Sequence, residues 1–476
     1  MDTYISPLSS RYASDEMKYI FSAQYRFASW RKLWVSLAKA EKELGLNISN
    51  EQIEELSTHV NDIDFAVAEK YEHRFRHEVM AHIYAYGDVC PLARPIIHLG
   101  ATSSYVMDNG DLLQIRDALL IIERWIVSLI TELSQFALKH KDQPILAYTH
   151  FQAAQPTTLG KRATLWLNDL VFDLSEVRHL IDDLPFFGCK GTTGTQASFL
   201  ELFSNEEEKV KELEKLIAQD LKFTHIVPVS GQTYSRKWDS RALSVLSGIA
   251  QSSSKFANDI RLMAHLKEAD EPFESEQIGS SAMPYKKNPI RSERLTSLAR
   301  FVMVDNLNPA WTAANQWLER TLDDSANKRL SIAEAFLATD AVLDLYLNII
   351  SGLVIYPKMM ERHLNEELPF MATENILMYL VKDKGLDRQN IHSILRDLSL
   401  KAGAQVKLEG QENQLLKYIE EDQRLNLTHE EIVRLLNIKN FIGRAPQQVI
   451  DFISEVINPL LADYSDIKLM KSEVTL

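Results

Sequence analysis

Between Gln277 and Pro289 the chain reads QIGSSAMPYKKNP, set between two helical patterns. Gly279, a serine pair, two prolines, two lysines and Asn288 contribute nothing to a core. Hydroxyl, ammonium and amide donors on a loop suit a segment that carries chemistry and closes over a ligand. An ordinary connector accounts for the prolines but not for Ser280, Lys286 and Asn288 together. A second candidate is His150 in YTHFQAAQ, placed just ahead of a long helix and beside two amides. Imidazole can act as general acid near neutral pH, although a lone histidine more often satisfies a structural bond. A third is the stretch Glu319 to Arg329, ERTLDDSANKR. Its arginines and Ser325 could fork a phosphate or carboxylate; a solvated helix face is the blander account.

Two other motifs point less far. His77-Glu-Val-Met-Ala-His82 is like the zinc-protease HExxH but one residue longer. Histidines five apart on a helix sit roughly 140° apart and cannot share a metal. Gly188-Cys-Lys-Gly-Thr-Thr-Gly194 has neither dinucleotide nor Walker spacing. The loop Gly191 to Ser198 is dense in small donors and reads either as a turn or as an anion-binding nest.

Long helices must position these residues. Gly is 16 of 476 residues, about half the usual frequency of roughly 7%, and Pro is 15. That scarcity disfavours turn-rich all-β folds and glycine-looped nucleotide folds. Apolar residues fall in a 3-4 alternation at Leu112, Ile115, Leu119, Ile122, Ile126, Leu129, Leu133 and Phe136, the seam of a helix lying nearly parallel to others. The pattern recurs from Ile332 to Leu353 and from Leu243 to Ala264, and more weakly from Gln155 to Leu184. No segment alternates well enough for a major sheet. The expectation is an all-α chain of three helical domains: 1–102, a central long-helix bundle at 103–355, and 356–476, where Tyr356-Pro357 ends the last long helix.

The net charge is −14, with 52 Lys and Arg against 66 Asp and Glu. This disfavours nucleic acid and anionic membrane as partners. Two cysteines, Cys90 and Cys189, make no disulfide framework and fit a reducing cytosol. The opening MDTYISPLSSRY lacks a signal-peptide pattern, and the greasiest stretch carries Arg116, Asp117, Glu123, Arg124 and Glu132, too many charges for a membrane span. A cytoplasmic protein is expected.

With these residues in view, GSSAMPYKKNP resembles the signature of the fumarase/aspartase superfamily, whose members eliminate fumarate from a succinyl group. HLGATSSYVMDN and THFQAAQPTTLG resemble its two other shared segments, in the expected order. Within that superfamily, RYAS, KGTTGTQASF, AMPY and ERTLDDSANKR resemble the adenylosuccinate lyase family in its animal-like form, from Ser6 almost to the C-terminus. One departure is Lys287, where arginine is common; both are cations.

The resemblance implies a homotetramer whose long helices join in a many-helix core, with each active site built from three subunits. It implies cleavage of adenylosuccinate to AMP and fumarate, and of the succinylated aminoimidazole carboxamide ribotide (SAICAR) to AICAR and fumarate. Ser280 would be the base that removes the proton beside a carboxylate, and His150 the acid that protonates the departing nitrogen. Lys286 and Asn288 would stabilise the dianion, and Glu293 would orient His150. Arg11, Tyr12, Arg320, Ser325 and Arg329 would bind the phosphate and ribose. Arg76, His77, Glu78, Thr102, Ser103, Thr149, Gln232 and Arg294 would position the rest. No metal or organic cofactor is called for, because the carboxylate is itself the electron sink. A sibling lyase acting on argininosuccinate would share Ser280 and His150 but not need the phosphate set. A non-catalytic helical scaffold would be expected to have lost the catalytic residues.

Overall fold

The computed structural model describes residues 2–274, 276–472 and 474. Helix takes up 67% of it and strand 4%, so the chain is all-α. The 3-4 seams fold as expected into the helices Ser103–Lys139, Lys237–His265 and Asp324–Ser351. With Leu159–Asp183 and Ile290–Asp305 they pack side by side as the central bundle. Leu112, Leu119, Ile122, Ile126, Leu129 and Leu133 are wholly buried there. At roughly 25 cal/mol per Å² of apolar area removed from water, such seams are the main stabilising element.

Among the described residues the apolar side chains form, besides a small cluster of Leu146 with Leu364, Leu368 and Met371, two main cores. The larger runs from Leu8 to Met360 and takes in Val449, Ile453 and Ile457 near the C-terminus. The smaller lies within 372–432, from the helices Pro357–Lys382, Arg388–Glu409, Leu415–Glu421 and His429–Leu435. Pro357 sits at the first position of its helix, where a missing N–H costs nothing.

Among the described residues, six strands form three two-stranded sheets, none of them a major sheet. One corrects the reading of the Gln155 region. Residues Gln152–Thr158 form a strand paired antiparallel with Pro144–Thr149, and the helix begins only at Leu159. Thr158 caps that helix, its hydroxyl accepting from the Lys161 N–H at 3.1 Å. His150 therefore does not stand just ahead of a helix; it stands at a hairpin tip.

Candidate functional site

The loop carrying Ser280 is folded by its own side chains. Asn288 donates its amide to the Gly279 carbonyl at 2.7 Å, and the Lys286 N–H donates to the Met283 carbonyl at 3.0 Å. Gly279 is required here because a Cβ would overlap the Lys286 carbonyl oxygen. The half-buried Ser280 hydroxyl oxygen accepts from the Met283 N–H at 3.2 Å, which leaves its proton directed elsewhere. Beneath the loop, buried Glu271 accepts from the Arg291 N–H (2.7 Å) and from the Ser292 N–H and hydroxyl (both 3.0 Å). Burial pushes this carboxyl up, and the three bonds and the Arg291 charge oppose that. The loop thus rises from a pinned base with Lys286 and Glu293 exposed.

His150 and Phe151 form the two-residue tip of the hairpin, with φ of 52° and 57°. Both lie in the left-handed region that such turns demand and that glycine or asparagine usually fills. Non-glycine residues there store strain, an observation that itself points to function. Leu146 fixes the hairpin by packing on Leu364, Leu368 and Met371, while Thr149 and His150 stay exposed. No hydrogen bond among the described residues joins His150 to Glu293 or to Ser280.

The arginine set opens on a cavity of about 320 Å³ lined by Arg320, Ser325 and Arg329. Ser325 stands in the first turn of the Asp324–Ser351 helix, whose free N–H groups and dipole favour an anion. Behind it lies a buried ion network. Arg236 grips Asp108 with two bonds (3.1 and 3.2 Å) and Asp324 at 2.7 Å, and Asp324 accepts from Arg320 at 2.9 Å. Burial raises the Asp324 carboxyl, yet Arg236, Arg320 and Lys328 outweigh it and hold it below the ordinary range. Lys328 donates to Asp111 at 2.8 Å and to the Tyr234 hydroxyl at 2.9 Å. Sequence reasoning missed Asp324 and Lys328. The signal was available, since Asp324 and Lys328 stand four apart at the start of one helix and so share a face, next to the Arg320 already singled out.

The remaining residues fall into smaller groups. Arg11, Tyr12 and Arg294 line a second cavity of about 320 Å³, with the Arg294 guanidinium 5.5 Å from the Tyr12 ring centroid. The two cavities share no lining residue. His77 caps the Glu78–Val89 helix, its Nδ1 accepting from the Met80 N–H at 3.2 Å. That leaves Nε2 to donate toward the Ser103 hydroxyl, 3.4 Å away, beside Thr102. Arg76 precedes it in a left-handed conformation. His82, by contrast, is buried and stacked on Phe27 at 3.6 Å, and burial pushes its imidazole down to about 4. The two histidines serve different surroundings. Glu78 reaches Arg329 at 2.9 Å, which ties this group to the first cavity. Gln232 donates its N–H to the Glu319 carbonyl at 2.9 Å and so lies next to Arg320. The loop after Gly188 bends with Gly191 and Gly194 at positive φ, and Gly194 lies against the Ser230 carbonyl. One cavity thus brings Arg320, Ser325 and Arg329 together, with Glu78 bonded to Arg329, while Arg11, Tyr12 and Arg294 line another.

Residues 12–304 match a family model described as "Lyase", and residues 369–452 match one described as "Adenylosuccinate lyase C-terminus". The chain is 51% identical to an adenylosuccinate lyase of Saccharomyces cerevisiae over 97% of its length and 96% of the relative's. It is 43% identical to that of Schistosoma mansoni over its whole length and 99% of the relative's. Among solved structures, a 3-carboxy-cis,cis-muconate lactonizing enzyme from Pseudomonas putida superposes with TM-score 0.82 at 25% identity, covering 94% of this chain and 98% of that one. A fumarate lyase from Mesorhizobium, at 22% identity and TM-score 0.79, shares the fold.

Proposed function

The chain belongs to the adenylosuccinate lyase family, and from that premise we propose how its residues divide the elimination of fumarate between them. The reaction is a lyase step of purine synthesis: adenylosuccinate yields AMP and fumarate, and SAICAR yields AICAR and fumarate. Ser280 removes the proton from the carbon beside a succinyl carboxylate. The electron pair spreads into that carboxylate, and the Lys286 ammonium and the Asn288 amide stabilise the resulting dianion. Such electrostatic stabilisation is usually the largest catalytic contribution. The C–N bond then breaks, and His150 protonates the departing nitrogen, with Glu293 orienting the imidazole. A serine hydroxyl is a weak base, so its activation falls to neighbouring cations and N–H donors. The chain's own carboxylate-bearing substrate is the electron sink, so the mechanism calls for no cofactor.

Arg320, Ser325 and Arg329, with Arg11 and Tyr12, take the phosphate and ribose. Arg76, His77, Glu78, Thr102, Ser103, Thr149, Gln232 and Arg294 position the remainder. The guanidinium-lined cavity at the start of the Asp324–Ser351 helix carries this reading, because argininosuccinate has no phosphate to fill it. The functional unit is a cytoplasmic homotetramer. Exposed apolar side chains on the bundle, Leu165, Phe172, Val304, Leu307, Trp311 and Leu330 among them, support such assembly. Its three domains are 1–102, 103–355 and 356–476, and its partners are small-molecule nucleotides. Fumarate release measured side by side from adenylosuccinate and argininosuccinate tests the proposal; release from argininosuccinate alone would overturn it.

A further inference from the structure

Arg26 has no part in the assignments above, yet it opens on the same cavity as Arg320 and Arg329. It stands in the Ala23–Glu43 helix with its guanidinium over the Trp30 ring, 4.9 Å from the centroid. From there it meets Glu78 fork to fork, Nη1 to Oε1 at 2.9 Å and Nη2 to Oε2 at 3.1 Å. The same Oε2 also accepts from Arg329 at 2.9 Å. One carboxylate therefore bridges two guanidiniums from helices 303 positions apart in sequence, at the wall of a cavity.

The other cations of this wall are matched. Arg236 lies between Asp108 and Asp324, and Lys328 between Asp111 and Asp239. Among the described residues, Arg26 and Arg329 find no acidic partner but Glu78, and Glu78 accepts no other hydrogen bond. Partly exposed ion pairs add little to stability, so fold stability alone does not explain three N–H donors on one carboxylate. Phosphate and carboxylate use the same fork geometry on arginine. A phosphate entering the cavity meets guanidiniums already oriented by an anion of the protein itself.

We propose that Arg26 is a further phosphate-binding residue, and that Glu78 is an internal counter-ion that holds Arg26 and Arg329 until the nucleotide's phosphate replaces it. The inference rests on the reading of this cavity as the phosphate site. Calorimetric binding of AMP, adenosine and inorganic phosphate to the assembled enzyme tests it, in wild type and in R26Q, R26K, E78Q and R329A, with Tm beside each. R26Q is expected to weaken AMP about tenfold or more, the ratio a lost charge-assisted bond gives, while adenosine binding holds. R26K, which keeps the charge but not the fork, is expected to regain part of the loss. E78Q is expected to bind inorganic phosphate several-fold more tightly, because nothing has to be displaced. Unchanged AMP binding in R26Q, or an equal loss of adenosine, overturns the role of Arg26. Unchanged or weaker phosphate binding in E78Q overturns the exchange. If R26Q does not fold, R26K decides alone: AMP binding at the wild-type level there refutes the proposal. R329A is the separate control, since AMP binding unaffected by that change removes the phosphate from this cavity altogether.

Discussion

Ser280 occupies a position where its own packing contributes little: half-buried, its oxygen accepting one backbone N–H, beside exposed Lys286. Ser280→Ala is therefore expected to leave AMP binding and Tm near wild type while lowering kcat by 10²-fold or more, the usual range for a general base. Steady-state kinetics with calorimetric AMP binding checks this, and a smaller loss in kcat would move the proton abstraction to another group. This residue was legible in the sequence because a donor-rich loop between helices has no structural reason to be so composed. His150 was legible only in type. That it is held on a strained two-residue tip depends on its pairing partner strand, and small, polar Gln152-Ala-Ala-Gln155 gave no alternation to read.

At the scale of an element, the loop from Gly279 to Asn288 closes only because Gly279 has no Cβ. Gly279→Ala is expected to cut kcat by tenfold or more with little change in Tm, since the loop lies outside the apolar cores. A large fall in Tm would mean that the loop supports the bundle. A second element carries a pH dependence. In the Ala23–Glu43 helix, Glu41 is fully buried, and neither of its side-chain oxygens has a partner among the described residues. Burial pushes its carboxyl up to about 9. The folded chain keeps this proton where the unfolded chain has released it, so stability falls as pH rises from about 4.5 to about 9. One proton gives a slope of at most about 1.4 kcal/mol per pH unit. Glu41→Gln is expected to flatten the fall in Tm between pH 6 and pH 9. Equal slopes in wild type and variant would acquit Glu41.

For the whole molecule, the decisive question is whether Ser280 and His150 of one site come from different chains. If sites are shared, inactive His150→Gln and Ser280→Ala proteins can complement one another. After mixing in equal amounts, dissociation and reassociation, about a quarter of the sites draw an intact His150 and an intact Ser280 from different chains, given random closed assembly. Activity is expected to return to about that fraction of wild type. Confirmed subunit exchange with activity still at the single-mutant level would place both residues on one subunit.

Periodicity and composition alone determined the long helices, their seams, the donor-rich loop and the arginine-bearing helix start. Each of these depends on contacts among residues a few positions apart, and a chain of 3.6 residues per turn writes such contacts into its spacing. Tertiary structure alone decided that Gln152–Thr158 is a strand, that Arg236 sits between Asp108 and Asp324, and that Glu78 joins Arg26 to Arg329. The longest of those pairings, Glu78 with Arg329, joins residues 251 positions apart. Such pairings are set by the register of whole helices packed around a common core, which no local pattern encodes.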